Sequence, residues 1–472
     1  MKNRIRKIII LPLFLLLSPL FGQEYGMGAL LDPVRYEQTA AKPVLVTRNY
    51  SSLPHSASLK QYGPIPESQG SYGTCVGWST AFAARTISES IALNRTNRAQ
   101  NTNNVFSPIH AYKGYYMRMG ITPTGHEGAY IGGVLNFFKD DGAVKRPALE
   151  RTADFPSILL SAYANSRRYP IADYVRLFSN PLGIPGTIDE RVVPVKKSLS
   201  EGKPVIIAMI CPPSFQTAKD LWRPTESPNG PYSSHAMCVI GYDDDKYGGA
   251  FEIQNSWGTD WGNGGYIWIS YKDFATFVYE AYEIIENLAN YRDAAHYGAS
   301  IKIEVFNDNR GMPVTYDRQG FYKTRFSYKE GTLFQFQMTN KYPAYVYAFS
   351  ADDSSSDMER IFPLNGVSPV LDYADSTVAW PGEYDGMEIA STAGTHYLVV
   401  LYSKEALDIS AIERRFAAER GAFPERVARA VGANFIPYNR VDYNNNAMEF
   451  SAVSASPKAI FGLLLAIGHE AR

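Results

Sequence analysis

Cysteine is scarce in this chain: only Cys75, Cys211 and Cys238 occur among 472 residues. Three thiols cannot build a disulfide scaffold, and at least one of them must stay unpaired. An excess of charge of one sign is also lacking, because 46 Lys and Arg residues stand against 47 Asp and Glu residues. This balance gives no electrostatic footprint for nucleic acid or for an anionic membrane surface. We therefore predict no nucleic-acid partner.

Long apolar runs are missing after the first 22 residues. Four basic residues precede an apolar run from Ile8 to Phe21, which indicates an export signal cut after Gly22. An uncleaved N-terminal anchor is the alternative. The later apolar stretch at 459–467 is shorter than the roughly 18 residues of a membrane-spanning helix. We expect an exported protein, periplasmic or secreted, with no stable membrane insertion after the signal (residues 1–22) is cleaved.

The composition is that of an ordinary globular protein with several domains. Apolar residues make up 45% and charged residues 20%, which excludes a disordered or collagen-like chain. Residues 23–49 are weakly patterned and are interpreted as a leader, too short for a typical folded inhibitory propeptide. From 50 to 290, helical and strand-like patterns alternate: Ala83, Ile87 and Ile91 share one helical face, and 204–210 indicates a buried strand. These patterns predict a first domain over residues 50–290.

Beyond residue 300 the pattern changes to strands with one solvated face. Apolar residues alternate with polar ones at 301–306 and 333–338. Residues 404–432 predict helix interrupted at Pro424, and 448–453 and 459–467 predict a return to sheet. This half contains no catalytic constellation. We predict a β-rich accessory domain over 300–472 with a possible protein partner; the alternative is that it only stabilises the first domain.

The segment Gln69-Gly-Ser-Tyr-Gly-Thr-Cys75 opens a predicted helix. A cysteine at a helix N-terminus has its thiolate stabilised by unpaired backbone N–H groups and by the helix dipole. The Cys75 N–H and the Gln69 side-chain amide can together form a two-donor oxyanion site. Taken alone, a cysteine that only packs in the core is the competing interpretation, and it is the one we adopt for Cys211 and Cys238.

Two later segments supply a base and a group that orients it. His235 begins an apolar strand, and Asn255 lies beside Trp257 in a Gly-rich stretch. An imidazole takes a thiol proton near neutral pH, and the Asn255 oxygen can hold the ring in position. Trp257 is expected to cover that hydrogen bond from water. The three segments together predict a thiol nucleophile.

These segments resemble the catalytic signatures of the papain-like cysteine peptidases. The similarity lies in Asn-Ser-Trp-Gly-Thr-x-Trp-Gly-x-x-Gly-Tyr at 255–266, in Gln-Gly-x-x-Gly-x-Cys at 69–75, and in the chain order Cys, His, Asn. His235 and Asn255 follow Cys75 by 160 and 180 residues, more than the ~130–150 of the family signature, which predicts an inserted surface segment. Tyr72 stands where the family usually has a second cysteine, and Gly-Thr-Cys-Val-Gly-Trp resembles a bacterial branch.

The resemblance implies an α+β, two-lobed papain-like fold over 50–290, with a helical lobe and an antiparallel β-barrel lobe. A β-sandwich-like C-terminal domain with helices is expected to follow it. The resemblance implies these catalytic residues: Cys75 as nucleophile, His235 as base and then acid, Asn255 as orienter, and Gln69 with the Cys75 backbone as oxyanion hole. It implies three substrate-binding residues: Gly128, Ala129 and Trp257.

We therefore predict an exported cysteine endopeptidase that hydrolyses protein or peptide substrates through a thioester, without a metal or another cofactor. Two alternatives remain open: a catalytically silent papain-like binding or scaffold protein, and an amidase or acyl transferase that uses the same triad on cell-wall peptides. A further hypothesis is that residues 23–49 occupy the cleft and that their removal activates the enzyme.

Overall fold

The structure is a computed structural model, and it describes residues 25–43, 53–151, 155–287, 290, 295–306, 310–317, 320–352, 356–372, 376–381, 386–389 and 394–470. The predicted export signal at 1–22 lies outside the described residues. Most of the predicted leader, 25–43, lies inside them. Among the described residues, no helix is both long and apolar enough to cross a membrane.

The helices lie mostly in the first half of the chain. They are α1 (Pro33–Gln38), α2 (75–92), α3 (Arg98–Asn103), α4 (Pro108–Met117), α5 (Ile131–Asp140), α6 (Ile188–Ser200), α7 (Pro213–Gln216), α8 (Tyr271–Phe277), α9 (Ile409–Ala418) and α10 (Phe423–Val431). Helix α2 begins as Cys75–Gly77, continues as π-helical turns over Trp78–Arg85 and ends as Thr86–Ala92. Short 3₁₀ turns lie at Lys60–Tyr62, Ala148–Arg151, Phe155–Ser157, Leu160–Tyr163, Lys246–Gly248 and Tyr438–Arg440.

Eight strands of the first half form one sheet. They are β1 (Ser56–Ser58), β2 (Asp173–Arg176), β3 (Val205–Ile210), β4 (Leu221–Trp222), β5 (Ser234–Asp243), β6 (Ala250–Gln254), β7 (Tyr266–Ser270) and β8 (Val278–Ile285). Their order is β2-β8-β3-β5-β6-β7-β4, and β1 pairs with β5. The mixed α+β class is thus confirmed. The expected β-barrel is corrected to an open sheet, because no pairing joins β2 to β4 among the described strands.

Helix α2 lies against this sheet and against α4 (Pro108–Met117), which holds its N-terminus in place. Its side chains at Cys75, Val76 and Ile87 are fully buried. A Cβ atom at Gly77 would lie 2.3 Å from the carbonyl oxygen of Pro108. Only glycine therefore permits this approach of α4, which fixes the turn that carries Cys75.

The second half forms two further sheets. Their strands are β9 (Ala295–Val305), β10 (Val314–Tyr316), β11 (Tyr322–Lys329), β12 (Leu333–Asn340), β13 (Ala344–Asp352), β14 (Glu359–Phe362), β15 (Val370–Leu371), β16 (Ser376–Trp380), β17 (Met387–Glu388), β18 (Thr395–Ser403), β19 (Asp442–Tyr443), β20 (Met448–Ser454) and β21 (Ile460–Glu470). One sheet has the order β10-β11-β21-β18-β13-β14 with β15 on β13, and the other has β16-β12-β9-β20-β19 with β17 on β12. Alternate residues of both sheets share one apolar core, as in a β-sandwich.

The outer face of the β18-containing sheet carries the two C-terminal helices. Phe349 and Val399 on this face share a core with Phe416 of α9 and Val427 of α10. Pro424 lies in the first turn of α10 rather than inside a helix, where its missing N–H costs nothing. The break predicted at this proline is therefore the start of a second helix.

Candidate active site

Cys75 begins α2 and faces strand β5 of the sheet. Its side chain is fully buried, and its sulfur accepts a hydrogen bond from the Ala236 N–H at 3.5 Å. Ala236 directly follows His235 on β5. Because α2 packs its N-terminus on this strand, this contact joins two residues that are 161 positions apart in the sequence.

His235 is held by Asn255, which follows the end of strand β6. The His235 Nε2 atom lies 2.7 Å from the Asn255 Oδ1 atom, and the same oxygen accepts the Ser256 N–H at 2.7 Å. The Trp257 ring stacks on the imidazole with centroids 4.6 Å apart. The other imidazole nitrogen, Nδ1, is buried and has no hydrogen-bond partner in the part of the chain that the structure describes. With Nε2 committed to Asn255, Nδ1 is the atom available to a thiol proton.

Gln69 is oriented by a residue that the sequence did not single out. The Ser256 hydroxyl donates to Gln69 Oε1 at 2.5 Å, so the amide nitrogen faces the other way. That nitrogen donates to the Gly26 carbonyl at 3.1 Å and to the Tyr72 carbonyl at 2.6 Å. The amide predicted to stabilise an oxyanion therefore already holds a carbonyl oxygen of the leader.

The leader lies in extended form along the wall predicted to bind substrate. Ala129 donates its N–H to the Gly28 carbonyl at 2.8 Å and accepts the Leu30 N–H at 2.9 Å, a parallel pairing centred on Ala29. Gly128 adopts a positive φ of 74° next to this contact. On the opposite side, the Ala29 N–H donates to the Ser234 carbonyl at 3.2 Å. Residues 26–30 thus bind where an extended peptide is expected to bind.

Trp257 holds the beginning of the leader. Its indole N–H donates to the Gly26 carbonyl at 3.1 Å, and its ring stacks on Tyr25 with centroids 4.8 Å apart. The three residues predicted to bind substrate, Gly128, Ala129 and Trp257, therefore all lie beside the leader. A cavity of about 660 Å³ continues from Tyr25 and Met27 toward Cys211 and Trp261.

The leader fits the cleft only because it contains two glycines. A Cβ atom at Gly26 would lie 2.1 Å from the Tyr72 carbonyl oxygen, and one at Gly28 would lie 2.2 Å from the Gly73 carbonyl oxygen. The Gly28 N–H of the leader also acts to lower the pKa of the Cys75 thiol. Residues 26–30, which lie along the predicted substrate-binding wall, are hereafter called the blocking segment. The spaced glycines at 26 and 28 were the signal for this contact.

Burial shifts the pKa of both Cys75 and His235 away from its ordinary value. Burial raises the pKa of the Cys75 thiol to about 11, although the N–H groups of Ala236, Gly28, Val76 and Cys75 act in the opposite direction. Burial lowers the pKa of His235 to about 4, against the hydrogen bond to Asn255, which raises it. The N–H groups at the helix N-terminus thus lower the pKa of the thiol as expected, but desolvation outweighs them. Thiol and imidazole are both neutral at pH 7.

Cys211, Cys238 and His110 have no comparable arrangement in the described part of the chain. Cys238 is buried inside β5, whereas Cys211 is buried just beyond the end of β3 rather than within it. His110 is buried with its Nε2 atom 2.5 Å from the Arg168 Nη1 atom. No group of three or more His, Cys, Asp or Glu side chains that could hold a metal ion occurs among the described residues.

The sequence of the second part of this site matches a known family. Residues 186–284 match the sequence model of the papain family cysteine proteases. The likeness to that family is confirmed. The matched stretch contains His235, Asn255 and Trp257, while Cys75 and Gln69 come earlier in the chain and meet them only in the folded structure. A papain-family cysteine protease domain is thereby supported.

Curated relatives share shorter stretches with this papain-like chain. An uncharacterized peptidase C1-like protein of Acanthamoeba polyphaga mimivirus is 30% identical over 90 residues, which are 18% of this chain and 28% of that protein. The gamete and mating-type specific protein A of Dictyostelium discoideum is 27% identical over 219 residues, 45% of this chain and 42% of that protein. The chain thus spans less than half the length of these relatives.

Solved structures of papain-like proteins align with just over half of the chain. Xylellain, a cysteine protease from Xylella fastidiosa, aligns at 21% identity and a TM-score of 0.43, covering 56% of this chain and 96% of xylellain. The digestive procathepsin L 3 of Tenebrio molitor larval midgut aligns at 16% identity and a TM-score of 0.40, covering 56% of this chain and 76% of that protein.

Proposed function

We propose that the chain is an exported cysteine endopeptidase that uses Cys75, His235 and Asn255. His235 takes the Cys75 proton, and the thiolate attacks the substrate carbonyl carbon to form a C–S bond. The Gln69 amide and the Cys75 N–H stabilise the oxyanion. His235 then gives its proton to the leaving amine as the C–N bond breaks. Finally, water deprotonated by His235 hydrolyses the thioester and restores the thiol.

One observation carries this proposal: the contact of the Cys75 sulfur with strand β5 next to an imidazole that Asn255 holds by the opposite nitrogen. A buried structural cysteine needs neither an oriented histidine nor an amide such as Gln69 beside it. The test is peptide hydrolysis by a chain that carries Gly26→Ala and Gly28→Ala, hereafter the released chain, and its loss on Cys75→Ala. Release of cell-wall peptides without protein digestion would favour the amidase or acyl transferase alternative, and a reactive thiol without turnover would favour a binding protein.

The leader supports an inhibited form of this peptidase. It occupies the Gln69 amide, the Ala129 backbone and the Trp257 indole, the three groups that a substrate would need. Activation then requires the leader to leave. Equal activity of chains beginning at residues 23 and 50 would contradict this inhibitory role.

Export rests on the N-terminal pattern of basic residues followed by the apolar run at 8–21. We expect the mature protein in the periplasm or outside the cell, beginning at Gln23. Mass measurement of the N-terminal peptide from producing cells tests this directly, and an N-terminus at Met1 would contradict cleavage.

Asn255→Ala in the released chain should lower kcat/KM by about 10- to 100-fold, the order of effect of a misoriented catalytic group. Asn255 acts on the imidazole, so it is a positioning residue. Its hydrogen bond raises the pKa of His235, and its loss should therefore move the titration of His235 to lower pH. The pH profile of kcat/KM and the NMR titration of the ring measure this shift.

Two matched variants separate positioning from general damage. Asn255→Asp keeps an acceptor oxygen and should recover part of the rate, while the exposed loop variant Asn229→Ala should leave rate and profile unchanged. A lower rate with an unaltered titration of His235 would assign Asn255 to packing alone.

A further inference from the structure

Residues 40–42 of the leader form a short bridge between the two halves of the chain. On one side, Arg176 of β2 donates its N–H to the Ala40 carbonyl at 3.0 Å and accepts the Lys42 N–H at 2.9 Å. On the other side, the Ala41 N–H donates to the Gly366 carbonyl at 2.7 Å, and the Ser368 N–H donates to the Ala41 carbonyl at 2.9 Å. The leader is thus paired on both edges, as an added strand is in a sheet.

A buried cluster of charges reinforces the same place. The Lys42 ammonium lies 2.7 Å from Glu201 and 2.8 Å from Glu283, and its side chain is only 9% exposed. Burial alone would lower the pKa of Lys42, but Glu283, Glu201 and Asp372 raise it above its ordinary value. Asp372, which contributes from the C-terminal half, is itself paired with Lys203 at 2.6 Å. Lys42 therefore stays charged, and removing it would take away the cation that contacts the buried Glu283 carboxylate.

We propose that segment 366–372 of the C-terminal domain is an intramolecular anchor whose partner is the leader. The anchor binds residues 40–42, and helix α1 connects these residues to the blocking segment 26–30. Tyr36 of α1 is buried, and its hydroxyl donates to the Ala281 carbonyl of β8 at 3.3 Å, which holds this connection on the first sheet. The inference rests on the proposed function, since it assigns regulation of that site to the accessory domain. It has a specific consequence: a cut within residues 44–52 leaves the leader bound, because the anchor holds residues 40–42 by noncovalent contacts that do not depend on the severed peptide link.

The proposal is tested by amide hydrogen exchange in the full chain, which needs no catalysis. The amides of Ala29 and Leu30 donate to Ser234 and Ala129 across the cleft and report how often the blocking segment leaves. Ala41→Pro removes the donor to Gly366 and keeps both bonds with Arg176. It should speed exchange of these two amides at least tenfold, whereas the matched Ala41→Ser variant, which keeps the donor, should not.

A second pair of variants tests the anchor from the C-terminal side. Ser368→Pro removes the donor to Ala41, and Ser368→Ala keeps it while losing only the hydroxyl. Exchange at Val399 and Leu464, in the middle of β18 and β21, checks that the sandwich is intact. Faster exchange of the leader in both proline variants supports the anchor, and wild-type exchange in Ala41→Pro overturns it. An inactive released chain would overturn the peptidase instead, without altering the exchange result.

Discussion

The released chain, with Gly26→Ala and Gly28→Ala, should hydrolyse peptides at least about 30-fold faster than the unsubstituted chain. Each new methyl group would meet a backbone carbonyl oxygen at 2.1 or 2.2 Å, and backbone atoms cannot move aside as a flexible side chain can. Overpacking costs about 1–3 kcal/mol for each site, or about 2–6 kcal/mol together. At tenfold for every ~1.4 kcal/mol, the blocking segment should leave the cleft for a much larger fraction of the time.

The control for this prediction is a glycine-to-alanine substitution at a position where the new Cβ atom contacts no other atom. A Cβ atom at Gly311 has no heavy atom within 4 Å, so Gly311→Ala should behave like the unsubstituted chain. Both substitutions leave Tyr36 and Lys42 in place, and so they avoid exposing the core that deletion of the leader would open. If hydrogen exchange shows residues 26–30 displaced while hydrolysis stays low, the leader is not the inhibitor.

Release of the leader should also change how the reactivity of the Cys75 thiol depends on pH. With the leader bound, the pKa of Cys75 is about 11 and that of His235 about 4, both because of burial. Since water reaches both groups once the leader leaves, the first pKa should fall and the second should rise. Alkylation of Cys75 by an epoxide should therefore keep increasing toward pH 11 in the unsubstituted chain and level off at much lower pH in the released chain.

Much of the site was predictable because its chemistry lies in short local segments. A cysteine that opens a helix, a histidine that opens an apolar strand and an asparagine beside Trp257 each have a local signature. The structure places Asn255 2.7 Å from His235 and the Cys75 sulfur against Ala236, the residue that follows His235. The Ser256 hydroxyl that orients Gln69 was missed, because a serine has no distinctive pattern until its partner is known.

The contacts between distant segments were not predictable in the same way. The leader pairs with Ala129 and Ser234 through backbone atoms, so its spaced glycines indicate a close backbone contact but not which segment it pairs with. The open ends of the first sheet depend on strand order, which local hydrophobic patterns do not encode. The charge states of Cys75 and His235 also depend on burial in the folded chain, which an argument from the helix dipole does not include.

Cys75→Ala in the released chain should abolish hydrolysis, with a loss of about 10⁴- to 10⁶-fold in kcat. Without the sulfur no thioester can form, and His235 and Gln69 are left with no nucleophile to activate and no oxyanion to stabilise. The fold should persist, because alanine fits the buried start of α2 and Cys75 makes no disulfide. Initial rates on a denatured protein substrate and thermal unfolding of the same sample measure the two effects separately.

A matched cysteine shows whether the loss is chemical. Cys238 is equally buried, lies three residues from His235 on the same strand and has no assigned role, so Cys238→Ala should keep turnover within a few fold. An epoxide that alkylates thiolates should then form one covalent adduct, seen by intact mass, with the released chain and with Cys238→Ala, and none with Cys75→Ala. Full activity in Cys75→Ala would refute the mechanism. A single adduct at Cys75 without any turnover would instead indicate a peptide-binding protein with an activated thiol. The Cys75–His235 pair is enough for reaction with the epoxide, whereas peptide hydrolysis also needs the Gln69 amide at the oxyanion and water at the thioester.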